Sequence, residues 1–257
     1  MILAVDIGNT QIVLGCIENE KVVFIERVST NHTATRLEYA SMMKTAFEMY
    51  NVDTDDIEGA IISSVVPNVT NNVKQAIEKI SNIKVIVVEP GIKTGVSIKI
   101  DNPAQLGSDL LVSAVAGVAK YKMPLIIIDM GTATTVSVIN REKEYIGGAI
   151  LPGVVISHDA LVNRTSKLQS IALEKPSKVI GTNTIDSIRS GLMYGNAGAL
   201  DGIISHINEQ MGEECNVVAT GGLAQIVVPL CKSKIVLDDE LLLKGLMILY
   251  EKNKKAE

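Results

Sequence analysis

Two stretches of this chain carry the same punctuation. Near the start, the apolar run ILAVD closes on Asp6, passes through Ile-Gly-Asn-Thr, and a second apolar run, QIVLGCI, resumes. At Asp129, 123 residues further on, LIIID passes through Met-Gly-Thr-Ala into another β-branched run. In each place a polar turn and a third strand follow, with period-two alternation and β-branched enrichment along the runs. An internal duplication at close to half of the 257 residues constrains the fold more than any other feature. It predicts two α/β domains of one plan, 1–122 and 123–257.

The segments between the repeats fit that plan. After the first three strands, Thr35 to Tyr50 places Leu37, Met42, Met43, Ala46 and Phe47 at helical spacing, an amphipathic helix whose Met and Phe stripe reads as core. GAIISSVV is a buried strand ended by Pro67 and Asn68, followed by a helix over Thr70 to Ile80 and the strand KVIVVE. From Pro90 to Gly107 periodicity fades, which predicts a long functional loop leading into a helix near Ser108. The second half predicts, after its three strands, a helix near Val154 to Leu161, a polar linker around Lys167 to Lys178 and a long helix from Thr184 to Met211. The strand CNVVAT and a last helix over Asp238 to Lys252 complete it.

Composition narrows the function classes. The formal net charge is −5 without any block of like charges, which argues against a nucleic-acid or membrane-surface partner. The longest apolar run, Leu110 to Ala119, is far short of the roughly 20 residues a membrane span needs, and Met1 leads straight into a strand, so no signal peptide is expected. Cys16, Cys215 and Cys231 have neither a CxxC pair nor a nearby His and read as reduced, mostly buried thiols of a cytoplasmic protein. His32, His158 and His206 lack partners at ligand spacing and read as ordinary surface or helix residues. The tail Lys252 to Lys255 reads as a solvated helix end.

An Asp at the end of a buried strand is costly unless a charge or a strong acceptor is needed there. A strand-Asp-x-Gly-polar-strand turn suits a nucleoside triphosphate: Gly8 admits phosphate oxygens close to the backbone, and Asn9 and Thr10 supply donors. Asp6 would then hold a hydrated Mg²⁺, which needs only one or two carboxylates beside the phosphates. The plainer reading is that Asp6 and Asp129 cap β-turns. Occurrence at matched places in a duplicated fold favours the functional reading, and Thr220-Gly221-Gly222 adds a third close-approach site that could sit against an adenosine.

The duplicated plan with paired acidic turns resembles the superfamily of acetate and sugar kinases, Hsp70 and actin. Within it, the chain is similar over nearly its whole length to the type III pantothenate kinases. The motifs are DIGNT at Asp6–Thr10, NPxxxGxD at Asn102–Asp109, DxGTAxT at Asp129–Thr135, GGxIxPG at Gly147–Gly153, GxxT at Gly181–Thr184 and TGG at Thr220–Gly222. The resemblance implies two duplicated ribonuclease H-like (actin-like ATPase) domains with a nucleotide cleft between them, and phosphorylation of pantothenate by ATP, the entry step of coenzyme A synthesis.

It also implies roles. Asp6, Ile7, Gly8, Asn9, Thr10, Gln11, Ile12 and Val13, with Thr132, would bind ATP, which arrives with Mg²⁺. Asp129 would hold a monovalent cation, K⁺ or NH₄⁺. Gly107, Ser108, Asp109 and Leu110 would line the pantothenate site, with Asp109 as the base that accepts the hydroxyl proton. Thr184 would reach the site of a partner subunit, making a homodimer part of the active site. Asp109 also has a plainer reading, since an acidic residue in a first helical turn is favoured by the helix dipole, which would keep it ionised.

Two positions depart from the family's pattern. Leu110 stands where an Arg usually follows the GxD motif, and Ile100 where a Tyr is common. Losing a carboxylate-binding Arg should cost about 2–3 kcal/mol unless another cation substitutes, for which Lys93, Lys99 and Arg189 are the candidates. The departures keep two alternatives open: a kinase with a different hydroxyl acceptor, or a nucleotide-binding accessory or regulatory protein.

Overall fold

A computed structural model describes residues 1–254 of the chain; Lys255, part of the Lys-rich tail, lies outside them. The chain divides into two compact units. The first comprises Met1–Val96, Asp101–Lys120 and the segment from Glu240 onward; the second comprises Ser97–Ile100 and Tyr121–Asp239. The division near residue 120 falls close to the expected 122/123 boundary. The last helix, however, belongs to the first unit rather than to a continuous 123–257 domain.

Unit 1 holds strands β1 (Ile2–Ile7), β2 (Gln11–Glu18), β3 (Lys21–Ser29), β4 (Gly59–Ser64) and β5 (Val85–Val87) in the order β3-β2-β1-β4-β5. The first three are antiparallel neighbours, while β4 and β5 join parallel. Both faces of the central strand β1 are buried, which is why ILAVDI is a continuous apolar run closed by a carboxylate rather than an alternating one. On one face lie α1 (Arg36–Met49) and α2 (Pro67–Ile80), with Leu3, Val5, Ile7, Met43, Phe47, Val73 and Ile77 in one core cluster. The Met and Phe stripe is therefore core, whereas Leu37 is exposed. Thr35 and Glu38 form a capping box at the start of α1. Pro67, read as a strand terminator, is also the first residue of α2, where its missing N–H costs nothing.

Against the other face pack α3 (Ser108–Lys120) and α7 (Leu241–Asn253). The reason α7 returns to this unit lies in its leucines. Leu241, Leu243, Leu246 and Leu249 are all buried, and the helix seats on positions without side chains. A Cβ on Gly15 would stand 2.6 Å from Leu243 Cδ1, one on Gly59 2.0 Å from Tyr250 Oη, and one on Gly245 2.2 Å from the Val112 carbonyl oxygen.

Unit 2 repeats the plan. Strands β6 (Ser97–Ile98), β7 (Leu125–Met130), β8 (Ala133–Ile139), β9 (Glu144–Pro152), β10 (Asn216–Thr220) and β11 (Val236–Leu237) form a sheet ordered β11-β10-β7-β8-β9-β6. The antiparallel trio β7-β8-β9 and the parallel neighbours β10 and β11 correspond to β1-β2-β3, β4 and β5. The one addition is β6, drawn from the expected loop at 90–107, whose Ser97 and Ile98 pair with Glu144 and Tyr145. Helices α4 (Val154–Arg164), α5 (Thr184–Met211) and the short α6 (Ala224–Val227) complete the unit. Asn183 caps α5 by accepting from the Asp186 N–H at 2.9 Å, and Gly212 ends it in the left-handed conformation. Ile126, Ile128, Met130 and Val136 share a core with Ile188, Leu192, Met193 and Leu200 of α5.

Burial accounts for the cysteines. Cys16 is fully buried and its thiol is pushed up to about 12, Cys231 is pushed up to about 11, and Cys215 is also raised, each chiefly by desolvation. None has the lowered pKa of a reactive thiol. Among the described residues no helix is long and apolar enough to cross a membrane.

Candidate functional site

In unit 1 the acidic turn is a tight hairpin. Gly8 N–H donates to the Gln11 carbonyl at 2.9 Å, and Asp6 at the end of β1 is 8% exposed while Asn9 and Thr10 are open to solvent. Thr30, just past β3, braces the loop: its hydroxyl donates to the Gly8 carbonyl at 2.7 Å and its N–H to the Thr10 carbonyl at 2.9 Å. Ile7 and Ile12, expected among the ATP-binding residues, bury their side chains completely in the core. They can therefore offer a ligand only main-chain atoms; Gly8, Asn9, Thr10 and Gln11 form the accessible part, with Val13 half-buried beyond them.

The same end of the sheet receives Asp109. Strands β1 and β4 pair with Asp6 opposite Ser63. Ser63 Oγ donates to Ser108 Oγ at 3.1 Å, and Ser108 Oγ accepts from the Ser64 N–H at 3.1 Å while donating to the Ser64 carbonyl at 2.9 Å. Thr70 on α2 extends the network to Ser64 Oγ at 2.7 Å. The first turn of α3 is thereby bolted to the carboxyl end of β4, beside the acidic turn. A Cβ on Gly107 would stand 2.4 Å from Asp109 Oδ1, so the glycine leaves room for the carboxylate. Leu110 N–H donates to that oxygen at 2.9 Å.

Desolvation raises the Asp109 carboxyl above its ordinary value, opposed by the main-chain N–H groups of Leu110 and of Asp109 itself. Burial thus opposes the ionisation that the start of the helix favours. A raised carboxyl is the better proton acceptor, provided it remains ionised at the working pH.

Unit 2 builds a corresponding end. Asp129 closes β7 opposite Thr220 of β10, as Asp6 lies opposite Ser63, and it is half-buried with Gly131 and Thr132 exposed beyond it. Gly221, at φ +98°, folds over the carboxylate. Thr220-Gly221 therefore serves the Asp129 turn directly, a task separate from the adenosine contact expected of it. The N-cap of α4 comes just as close to the turn: a Cβ on Gly153 would stand 2.1 Å from the Thr132 carbonyl oxygen and 2.7 Å from that of Gly131.

Hard oxygen donors suit the cations that triphosphate chemistry uses, and Asp6, Asp129, the turn carbonyls and the Thr132 hydroxyl are of that kind. Among the described residues no group of three His, Cys, Asp or Glu side chains is arranged to enclose a metal. A cation at either turn would accordingly draw on main-chain oxygens, water or phosphate besides one carboxylate.

Thr184 is exposed at the first position of α5. Gly181 presses onto that turn, where a Cβ would stand 2.4 Å from Ser187 N. Of the candidate replacements for the missing Arg, Lys99 is paired with Glu144 at 3.6 Å, and Arg189 with Asp186 at 3.5 Å and Glu174 at 3.6 Å. Lys93 is exposed. Leu110 and Ile100 are both half-buried.

Sequence reasoning missed the Ser63, Ser64, Ser108 and Thr70 network and the brace from Thr30. Two consecutive serines closing the apolar strand GAIISS were the available signal for the first; nothing marked Thr30.

The family model for type III pantothenate kinase matches residues 2–206. A type III pantothenate kinase of Halalkalibacterium halodurans is 43% identical over 253 residues, covering 98% of this chain and all of that one. One from Exiguobacterium sp. is 44% identical over 255 residues, covering 99% of this chain and all of its own length. Among solved structures, a conserved putative Baf family transcriptional activator from Campylobacter jejuni superposes with a TM-score of 0.60 at 16% identity, covering 98% of both chains. Component A of the (R)-2-hydroxyglutaryl-CoA dehydratase of Acidaminococcus fermentans gives a TM-score of 0.56 at 16% identity, covering 100% of this chain and 99% of that one. These likenesses speak for the fold alone, the mixed α/β architecture of the actin-like ATPases.

Proposed function

Since the chain belongs to the type III pantothenate kinase family, we propose that it transfers the γ-phosphoryl group of ATP to the primary hydroxyl of pantothenate, opening coenzyme A synthesis. The observation that supports the mechanism is the bond between Ser63 and Ser108, which holds the helix of Asp109 at the end of β4, where Ser63 lies opposite Asp6 of β1.

Phosphoryl transfer asks a protein mainly for positioning and charge stabilisation. Residues 6–13 bind the phosphates through the N–H groups and side chains of the first turn, and Thr132 adds a hydroxyl from the second. Asp109 accepts the proton of the attacking hydroxyl as the new P–O bond forms and ADP leaves. Gly107, Ser108 and Leu110 shape the acceptor pocket around it. Asp6 would hold Mg²⁺ through water and Asp129 a monovalent cation, K⁺ or NH₄⁺. Such ions, when bound, neutralise phosphate charge.

A homodimer completes the acceptor site, with Thr184 reaching the partner's pocket. Support comes from α5. Gly191, Gly195, Gly198 and Gly202 recur at helical spacing on one face of it, and a Cβ added at any of them would meet nothing within 4 Å. Such a stripe lets a second helix approach closely.

The test is ADP release coupled to an optical readout in K⁺ buffer, with and without pantothenate, comparing the native chain with Asp109→Asn. Turnover stimulated by pantothenate and abolished by the substitution is expected. ATP binding without any stimulation would transfer the reading to another acceptor or to a binding role.

A further inference from the structure

His158, on α4, is buried, whereas His32 and His206 are exposed, and no step of the phosphoryl transfer uses it. Ile171 N–H donates to its Nε2 at 3.1 Å, and its Nδ1 lies 3.2 Å from Asp159 Oδ1. A main-chain amide can only donate, so Nε2 carries the lone pair and the ring proton sits on Nδ1, where it donates to Asp159. The imidazole is neutral and held in one tautomer by its two neighbours.

Ile171 belongs to a strap, residues 165–183, that runs without regular secondary structure from α4 to α5. Side chains of α4 and α5 fasten it. His158 holds Ile171; Arg189 Nε donates to the Ala172 carbonyl at 3.4 Å and its guanidinium pairs with Glu174; Ser190 Oγ donates to the Val179 carbonyl. Leu168, Ile171 and Leu173 lay apolar atoms on the core of the unit. Beyond the last fastening come Gly181, pressed onto the first turn of α5, and Thr184.

We infer that His158 is a positioning residue for the acceptor half of the reaction: neutral, it anchors the strap and so sets the entry to α5, and protonation of Nε2 releases that anchor. The inference rests on the reading of Thr184 as an acceptor-binding residue. Protonated Nε2 would face the Ile171 N–H donor to donor, losing the bond and leaving a buried charge beside an unpaired amide.

The surrounding charges leave that contest to Asp159 and Ile171. On α4, Asp159 contacts Nδ1 and favours the imidazolium, but it is 60% exposed and screened. On the strap, Glu174 is engaged by Arg189, which also pairs with Asp186 on α5; Lys167, Lys175 and Lys178 are its other charged residues. Strand β8, also packed on α4, carries no titratable side chain.

The experiment uses the ¹⁵N-labelled full chain. Ring nitrogen shifts should report the Nδ1–H tautomer at pH 8. Protection of the Ile171 amide against deuterium exchange, corrected for intrinsic rate, should fall by about tenfold, one hydrogen bond's worth, on acidification. In His158→Gln, whose amide oxygen can accept from Ile171 without titrating, protection should not vary with pH. KM for pantothenate should rise at low pH more steeply in the native enzyme than in His158→Gln, with KM for ATP alike in both. An Nε2–H tautomer, or native protection independent of pH, would overturn the inference. So would a titrating latch with parallel pantothenate KM profiles in the two proteins. Absence of pantothenate turnover at any pH would instead strike the functional reading, leaving the latch to be judged by the amide and ring signals.

Discussion

Gly221 is seated against Asp129: a Cβ built on the glycine would stand 2.7 Å from Asp129 Oδ1 and 2.6 Å from Met130 N. Because β10 runs parallel to β7 with Thr220 opposite Asp129, the turn leaving β10 closes over the carboxylate. Both the missing side chain and a φ of +98° permit this. Gly221→Ala should cost about 1–3 kcal/mol in backbone strain and push the carboxylate aside. Thermal unfolding should show a lowered Tm, and a K⁺ titration of turnover a weakened activation. Native K⁺ dependence in the alanine variant would take Asp129 out of the cation role.

Asp109 joins opposite responses to acid. Burial lifts its carboxyl, so the folded chain holds that proton more tightly than the unfolded chain does. Above the raised pKa the ionised group lowers stability, and that cost is relieved as pH falls through it. The base role proposed for Asp109 needs the ionised form, so kcat/KM should decline across the same window, at a pH higher than an ordinary aspartate would give. Asp109→Asn should reduce kcat by about 10²–10⁴-fold without lowering Tm at neutral pH. A variant that unfolds earlier, or one retaining native turnover, contradicts this account.

Ser108 is where strand and helix are joined. Ser108→Ala deletes the bonds to Ser63 Oγ, the Ser64 N–H and the Ser64 carbonyl. A loss of about 1–3 kcal/mol in denaturant unfolding is expected. Turnover should fall with little change in KM for ATP, because the first turn keeps its own hairpin bond and the brace from Thr30. Were KM for ATP to rise while kcat held, Ser108 would belong to the nucleotide half.

The glycine face of α5 offers a test of assembly. Gly195→Leu adds a side chain where nothing stands within 4 Å, and helix propensity favours Leu over Gly, so the lone subunit should not be destabilised. Sedimentation should then show monomers in place of the proposed dimer, with pantothenate saturation lost. An intact dimer with unchanged kinetics would place the partner elsewhere.

Legibility followed physical necessity. The hairpin trios, the long α5 and the core role of Met43 and Phe47 were readable because burial writes periodicity into sequence. The return of α7 to unit 1 was not, since its leucines look alike whichever sheet they cover; the decisive features are the bare positions Gly15 and Gly59, far upstream. β6 escaped notice because two residues carry no period. The paired acidic turns announced themselves by repetition, but the desolvation of Asp109 depends on three-dimensional packing. His158, expected to be ordinary, is buried and bonded to an amide thirteen residues away. No spacing rule would have found that partner, because the acceptor is an imidazole and the donor is main chain.

The seating of α7 on Gly15 and Gly59 has a consequence for biogenesis. Apart from Ser97–Ile100, unit 2 is the continuous stretch Tyr121–Asp239 and can collapse while the ribosome is still at work. The amino-terminal half must wait, its sheet lacking one helical cover, until Leu241–Asn253 has left the ribosome. Ribosome-bound chains stalled before that point should be cut by protease within the first hundred residues, and chains stalled after emergence of the helix should not.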